Sequence, residues 1–434
     1  MEILSNGIVW RRGLKICSCL LITVVSCHAQ VNSSNAVVPI DESRFSKSGP
    51  IDSLAERWRE LLRFTCDEVL NTWWPSSEAN GNEDAYVDFG YLENNSKTGD
   101  FGRETKGGMR PAAQAAYSLA VALFTDSYDA SFTHVSADVA QLRAVTIIKS
   151  LAKDHLINGG IAHPWGNQWQ SAQWASKVAV AAWLLWDQLD TTDQSHVRNM
   201  MEYEANRFVR MIPPTANENY RENTHAEENG WDATGIQTAC ALMPDHENYR
   251  VWFDKLVEYR LSALATPEDL QNRRQMYDRE VRQHVAGYNI DRMGALGNHG
   301  AYPHPDYMAA PLRHTVEGAL FFRLAGKDVP VCNGFNYLRV YDNFQHHVWH
   351  ERSPIFLQDG SIYWPIDIEE DRRFEYITFG IIDIGAQLFG SQSEDESNGA
   401  NWEEKHLARA LERKLTGFIA ASAYLYRWIE FQEQ

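Results

Sequence analysis

From Ile51 onward, apolar residues recur at three- and four-residue spacing in about a dozen segments, while alternating strand patterns scarcely occur. The spacing predicts helices near 51–71, 110–125, 137–153, 168–189, 193–211, 226–243, 248–264, 267–285, 306–325, 334–349, 375–389 and 402–431. Only Ser361–Trp364, after Asp359-Gly360, reads as a short strand or hairpin arm. Successive amphipathic helices joined by modest loops pack as antiparallel pairs. No fixed period marks a regular solenoid. The expectation is one all-α domain over 51–434, an incomplete (α/α) toroid of antiparallel helix pairs with at most minor β-hairpins. Its long loops, rich in Trp, His, Asn and Tyr, then build a site at one end.

Residues 1–29 read as an export signal. Arg11, Arg12 and Lys15 precede the short apolar stretch Ile16–Cys27, and Ala29 offers a small residue at the cleavage point. This predicts a secreted or periplasmic protein. The alternative is a lipid anchor on Cys27, since Val24-Val25-Ser26-Cys27 resembles a lipobox. No later stretch is apolar and long enough to span a bilayer. Residues 30–50 are polar and read as a linker. Asn32 and Asn94 head glycosylation sequons, relevant in a eukaryotic host. Cys66, Cys240 and Cys332 are far apart and odd in number, which fits buried thiols and not a disulfide framework. The net charge of −18 disfavours nucleic acid and anionic membranes as partners. The oligomeric state is open.

Three constellations carry chemistry. The first is Asn223–Asp232. Thr224 and Glu227 have capping-box spacing. On a helical wheel His225, Glu228, Asn229 and Asp232 fall within roughly 100° of one another, and Ile236, Ala239 and Cys240 continue that face. Polar groups at the head of a core-facing stripe need partners or a ligand. Arg221, beside Tyr220, is suited to pairing a substrate carboxylate. Trp231 lies within the same segment.

The second runs from Ala162 to Gln170, ahead of a helix. Indoles cover sugar C–H patches and amides bind hydroxyls, so Trp165, Asn167 and Gln170 are candidate ligand contacts. The third is Gly297–Tyr307. Two glycines and two prolines constrain a loop bearing Asn298, His299, Tyr302, His304 and Tyr307. A fourth, Tyr363–Glu375, reads as a solvated charge run from which Arg372 or Arg373 could reach the cleft. There is no G-x-S-x-G, P-loop, dinucleotide fingerprint or H-E-x-x-H. No cofactor is expected. The only metal set the residues suggest would draw on His225, Glu228, His299, His304 and Asp306 meeting in space.

On the segments Trp165–Ala175, Glu222–Ala233 and Gly297–Met308, the chain resembles helical-toroid polysaccharide lyases, the group that includes heparinase II/III-like, alginate and chondroitin lyases. The resemblance spans roughly 55–390 in architecture. Heparinase II/III-like lyases continue into a β-sandwich, whereas 402–431 here reads as a helix. Groups that such lyases take from a β-domain are expected to be missing or replaced. The resemblance implies β-elimination at a uronic acid of a poly- or oligosaccharide. Asn223, His225 and Asn229 would neutralise the substrate carboxylate, with Arg221 and Glu228 assisting. His299 or Tyr307 would remove the proton, with Tyr220 and Tyr302 behind. The alternatives are a glycoside hydrolase on the same fold, including unsaturated-uronyl hydrolases, and a non-catalytic glycan-binding protein. A hydrolase would use two of Glu228, Asp232, Asp306 and Glu375.

Overall fold

The computed structural model describes residues 36–45, 51–77, 79–82, 85–89, 108–160, 164–367, 375–390 and 399–432. Residues 1–29 with Cys27, expected as an export signal, both sequons, His163 and the charged run 368–374 lie outside them. Among the described residues there are thirteen α-helices and one hairpin of two short strands, so the fold is all-α. No described helix is long and apolar enough to cross a membrane. Cys66, Cys240 and Cys332 are buried free thiols.

The helices divide by how they are buried. α1 (Ser53–Asp67) is capped by Asp52, whose Oδ1 accepts from Ala55 N at 2.6 Å. It buries one stripe: Ala55, Trp58, Leu61, Leu62, Thr65 and Cys66. α4 (Ala137–Asp154), α6 (Thr191–Arg207), α8 (Tyr249–Ala263), α10 (Tyr337–His346) and α12 (Gly399–Glu412) are likewise buried in part. By contrast, α5 (Ser171–Leu184) buries every residue, and α2 (Met109–Phe124), α7 (Ala226–Leu242), α9 (Pro305–Leu324), α11 (Tyr376–Phe389) and α13 (Phe418–Gln432) are buried on most sides. A helix apolar all round belongs inside.

The two sets alternate along the chain, apart from the single-turn α3 (Ala130–Thr133). Within the deeply buried set, α2 packs on α5, α5 on α7, α7 on α9 and α9 on α11, and α13 packs on both α11 and α2. The one-sided helices lie against them: α4 on α2 and α5, α6 on α5 and α7, α8 on α7, α10 and α12 on α11, and α1 on α13. Small residues allow the close approach. A Cβ at Gly235 of α7 would lie 2.7 Å from the Ala172 Cβ of α5.

Residues 36–45, expected as part of a linker, instead cover the C-terminal ends of the buried helices. Val38 N donates to Leu242 O at 2.8 Å, and Trp183 Nε1 donates to Val38 O at 2.7 Å. Phe45 packs against Phe124 and Trp428. Backbone carbonyls left over at helix ends require such partners.

Three predicted elements differ. The helix expected at 267–285 is absent. Thr266 is tied to Asp269 Oδ2 through its N and Oγ1, and Tyr277 (φ 56°) turns the hairpin Gln275–Met276/Arg279–Glu280. Met276 and Val281 then fill a small second core with Leu261 and Phe335. The helix expected at 402–431 breaks at Lys414 (φ 49°) and Gly417 into α12 and α13. The arm expected at 361–364 is a single bridge, Phe356 with Ile362.

Candidate active site

The loop before α7 and the loop before α9 are stitched together through their backbones. Gly297 N donates to Tyr220 O at 2.9 Å, Thr224 N to Gly297 O at 3.1 Å, and Gly300 N to Glu222 O at 2.9 Å. Gly297 is required, because a Cβ there would lie 2.0 Å from Arg221 O. Asn289 is the hub behind them. Its Oδ1 accepts from Ala216 N (2.8 Å) and His225 N (3.2 Å), and its Nδ2 donates to Ser262 O (2.8 Å). Thr224 Oγ1 donates to Asn289 O at 2.8 Å and accepts from Ala226 N at 3.1 Å. The expected capping box does not form, because Glu227 bonds elsewhere.

This frame presents a His–Tyr pair. His299 adopts a left-handed conformation (φ 52°), followed by Gly300 (φ 74°). Its ring meets Tyr307 edge-on, with Nε2 2.9 Å from the Tyr307 hydroxyl. The His304 ring stands perpendicular to the Tyr307 ring at 4.6 Å, while its Nδ1 accepts from Tyr307 N as the α9 N-cap. Asn298 is buried and spends Oδ1 on His299 N, which makes it a turn-former and not a substrate contact. Tyr302 donates to Asp291 Oδ2 at 2.6 Å; burial and that bond push its pKa up, so it does not serve as a base. Arg221 is exposed, 5.0 Å over the Tyr302 ring, and its Nε donates to Tyr220 OH.

The first turns of α7 hold a cluster of acids. Glu227 Oε1 accepts from Trp231 Nε1 at 3.1 Å. Burial, together with the neighbouring charges of Asp306 and Glu228, pushes its pKa up to about 7. His225 Nδ1 is 3.4 Å from Glu228 Oε1, and this contact raises the His225 pKa. Asp232 is pushed well above the usual carboxylate range by burial, with Arg207 opposing and Glu204 and Glu228 reinforcing. Asp232 Oδ1 and Glu228 Oε2 find no hydrogen-bond partner among the described residues. Asn229, expected to neutralise a substrate, is wholly buried and donates to Pro214 O at 2.8 Å. It holds the chain and does not line the site. Asn223 is exposed.

The segment before α5 joins the same cluster through different residues from those expected. Trp165 is wholly buried; its backbone bridges His155, and its indole N–H donates to Leu151 O at 2.9 Å, leaving no face for a sugar. Trp169 is instead half-buried, and its ring meets the nearly buried Trp231 at 5.7 Å. Arg110, at the head of α2, lies 5.1 Å over Trp231 and reaches the buried Gln170 at 3.5 Å. Asn167, exposed at φ 68°, accepts from Tyr203 OH at 2.9 Å. The three expected stretches therefore adjoin at the N-terminal ends of α2, α5, α7 and α9. Sequence reasoning missed Glu227, Trp169 and Arg110. The spacing of four between Glu227 and Trp231 is the signal that a capping-box reading passes over. Trp364 and Glu375 lie at the loop before α11. Among the described residues, His225, Glu228, His299, His304 and Asp306 form no group of three placed to hold a metal ion.

No family model, curated protein or solved structure matches the chain.

Proposed function

We propose that the protein is an exported polysaccharide lyase that cleaves a uronate-containing glycan by β-elimination. The packing succession of the buried helices supports a toroid, closed by α13 against α2 where an incomplete one was expected. The basic and apolar character of residues 1–29 supports export.

The observation that carries the reading is the His299–Tyr307 pair. A free phenol, at a pKa of about 10, is a weak base near neutrality. A neutral imidazole at 2.9 Å accepts the phenolic proton as the phenol oxygen takes the proton from the carbon beside the substrate carboxylate. Removal of that proton requires the carboxylate charge to be masked. Glu227, holding its proton to about pH 7, can donate a hydrogen bond to that carboxylate. Trp169 offers a partly exposed indole beside it for a sugar ring. The leaving oxygen then takes its proton from the Tyr307–His299 pair. The test is incubation with a panel of uronate polymers, following the ultraviolet absorbance of the conjugated, unsaturated product.

A second reading rests on Glu227 lying within electrostatic reach of Asp306 and Glu228. One protonated and one ionised carboxyl is the acid–base pattern of a glycoside hydrolase, including those that remove unsaturated uronates. New reducing ends without ultraviolet absorbance would favour it. Binding without any product would favour a glycan-binding module.

A further inference from the structure

Beneath the acids of α7, the interior of the helix bundle holds a chain of charged groups that ends in a cation at the site. Lys177 of α5 and Glu317 of α9 are wholly buried and paired at 2.7 Å. Ser422 Oγ donates to the same Glu317 oxygen at 3.1 Å. Burial alone would raise the Glu317 pKa, but Lys177 overrides it and keeps the carboxylate ionised. The other carboxylate oxygen lies 3.5 Å from His314 Nδ1. His314 Nε2 in turn lies 2.9 Å from Arg313 Nη2. Arginine can only donate, so Nε2 carries the lone pair and the proton sits on Nδ1, facing Glu317. Burial, followed by the charge of Arg313, pushes the His314 pKa down to about 3 and keeps the ring neutral.

The charges then sum in one direction. Lys177 and Glu317 cancel and His314 is neutral. Arg313 keeps its full positive charge. It is partly exposed and stands above the Phe418 ring at 5.8 Å. Its charge reaches Glu227, whose pKa it lowers against burial and the nearby acids. Among the described residues His314 is its hydrogen-bond partner, and its buried Nε has none. In a chain of net charge −18, a guanidinium whose hydrogen-bond partner is a neutral acceptor has the charge and the fork to pair with one anionic group.

We propose that Arg313 is the binding residue for the carboxylate of an acidic sugar, and that His314 and Glu317 are positioning residues that aim its guanidinium fork. The inference deepens the lyase reading and rests on it for the identity of the anion. It also explains why two ionisable residues are buried behind His314, since a ring without a fixed proton could turn either nitrogen toward Arg313.

The test is calorimetric binding by the full chain of oligosaccharides containing glucuronate, galacturonate, mannuronate or guluronate, with a neutral cello-oligosaccharide as control. Because Glu317→Gln would strip buried Lys177 of its counter-ion, the positioning claim is tested at His314. His314→Asn keeps a donor near Nδ1 but loses the acceptor for Arg313, whereas His314→Gln keeps an acceptor near Nε2. At least one acidic oligosaccharide is expected to bind. Arg313→Ala and His314→Asn should each weaken it on the order of tenfold or more, Arg313→Lys less, and His314→Gln least. Wild-type affinity in Arg313→Ala, or a protein that binds no acidic sugar at all, would overturn the proposal. Equal losses in His314→Asn and His314→Gln, with unchanged melting temperatures, would remove the positioning claim. Affinity that depends on Arg313 without any cleavage would sustain this inference and defeat the lyase reading. Cleavage at an unchanged KM in Arg313→Ala would do the reverse.

Discussion

The Tyr307 hydroxyl stands 2.9 Å from His299 Nε2, in a loop whose backbone is bonded to the segment that opens α7. A phenol alone is a weak base at neutral pH. Together the two groups form an acceptor chain from substrate carbon to phenol to imidazole. Tyr307→Phe and His299→Ala should each lower kcat by about 10²-fold or more. Melting temperature should hardly change, because His299 is exposed and Tyr307 partly so. Steady-state kinetics beside a thermal melt separates the two effects, and near-normal kcat in both variants would remove the pair from the mechanism.

Glu227 predicts the pH profile. Its function requires the proton, and its pKa is about 7, so activity should fall as pH rises through 7. Stability follows the same sign. The folded pKa lies above the ordinary value of 4.5, so folding retains a proton that the unfolded chain gives up. Stability therefore declines as pH rises from about 4.5 to about 7. Glu227→Gln should flatten both slopes across that window; unchanged slopes would reassign the titrating group.

The buried pair Lys177–Glu317 should be intolerant of single changes. Removing either partner leaves an uncompensated buried charge and should cost about 3–5 kcal/mol in urea denaturation. Replacing both with apolar residues of similar size should restore much of that loss. A single variant as stable as the wild type would show that the pair is not desolvated.

The 36–45 segment makes a prediction far from the chemistry. Phe45 is buried between Phe124 and Trp428, so Phe45→Ala should lower stability by about 3 kcal/mol. The segment covers the helix ends remote from His299, so KM should not move. A changed KM at constant stability would connect the two ends.

The helices were legible because their period repeats over many turns, and the all-α class followed from it. Where the chain stops being helical was less visible. The 267–285 stretch has helical spacing, but Asp269 locks Thr266 and Tyr277 turns left-handed, and both are local features that periodicity does not report. Within the site, the constrained loop around His299 was readable from its glycines and prolines. Trp165 and Trp169 were not separable by type. A bridge to His155 turns one inward, while the other lies at the turn before α5 and meets Trp231. Arg313 and Glu317 sit in an apolar helical pattern and acquire meaning only once α5 and α9 are seen to meet at Lys177.

The most direct test of β-elimination follows ultraviolet absorbance and reducing ends together while the wild-type protein and Tyr307→Phe act on a panel of uronate polymers. Absorbance rising in step with new ends for the wild type, and nearly abolished in Tyr307→Phe, is the predicted result. New ends without absorbance, or absorbance undiminished in Tyr307→Phe, would contradict it.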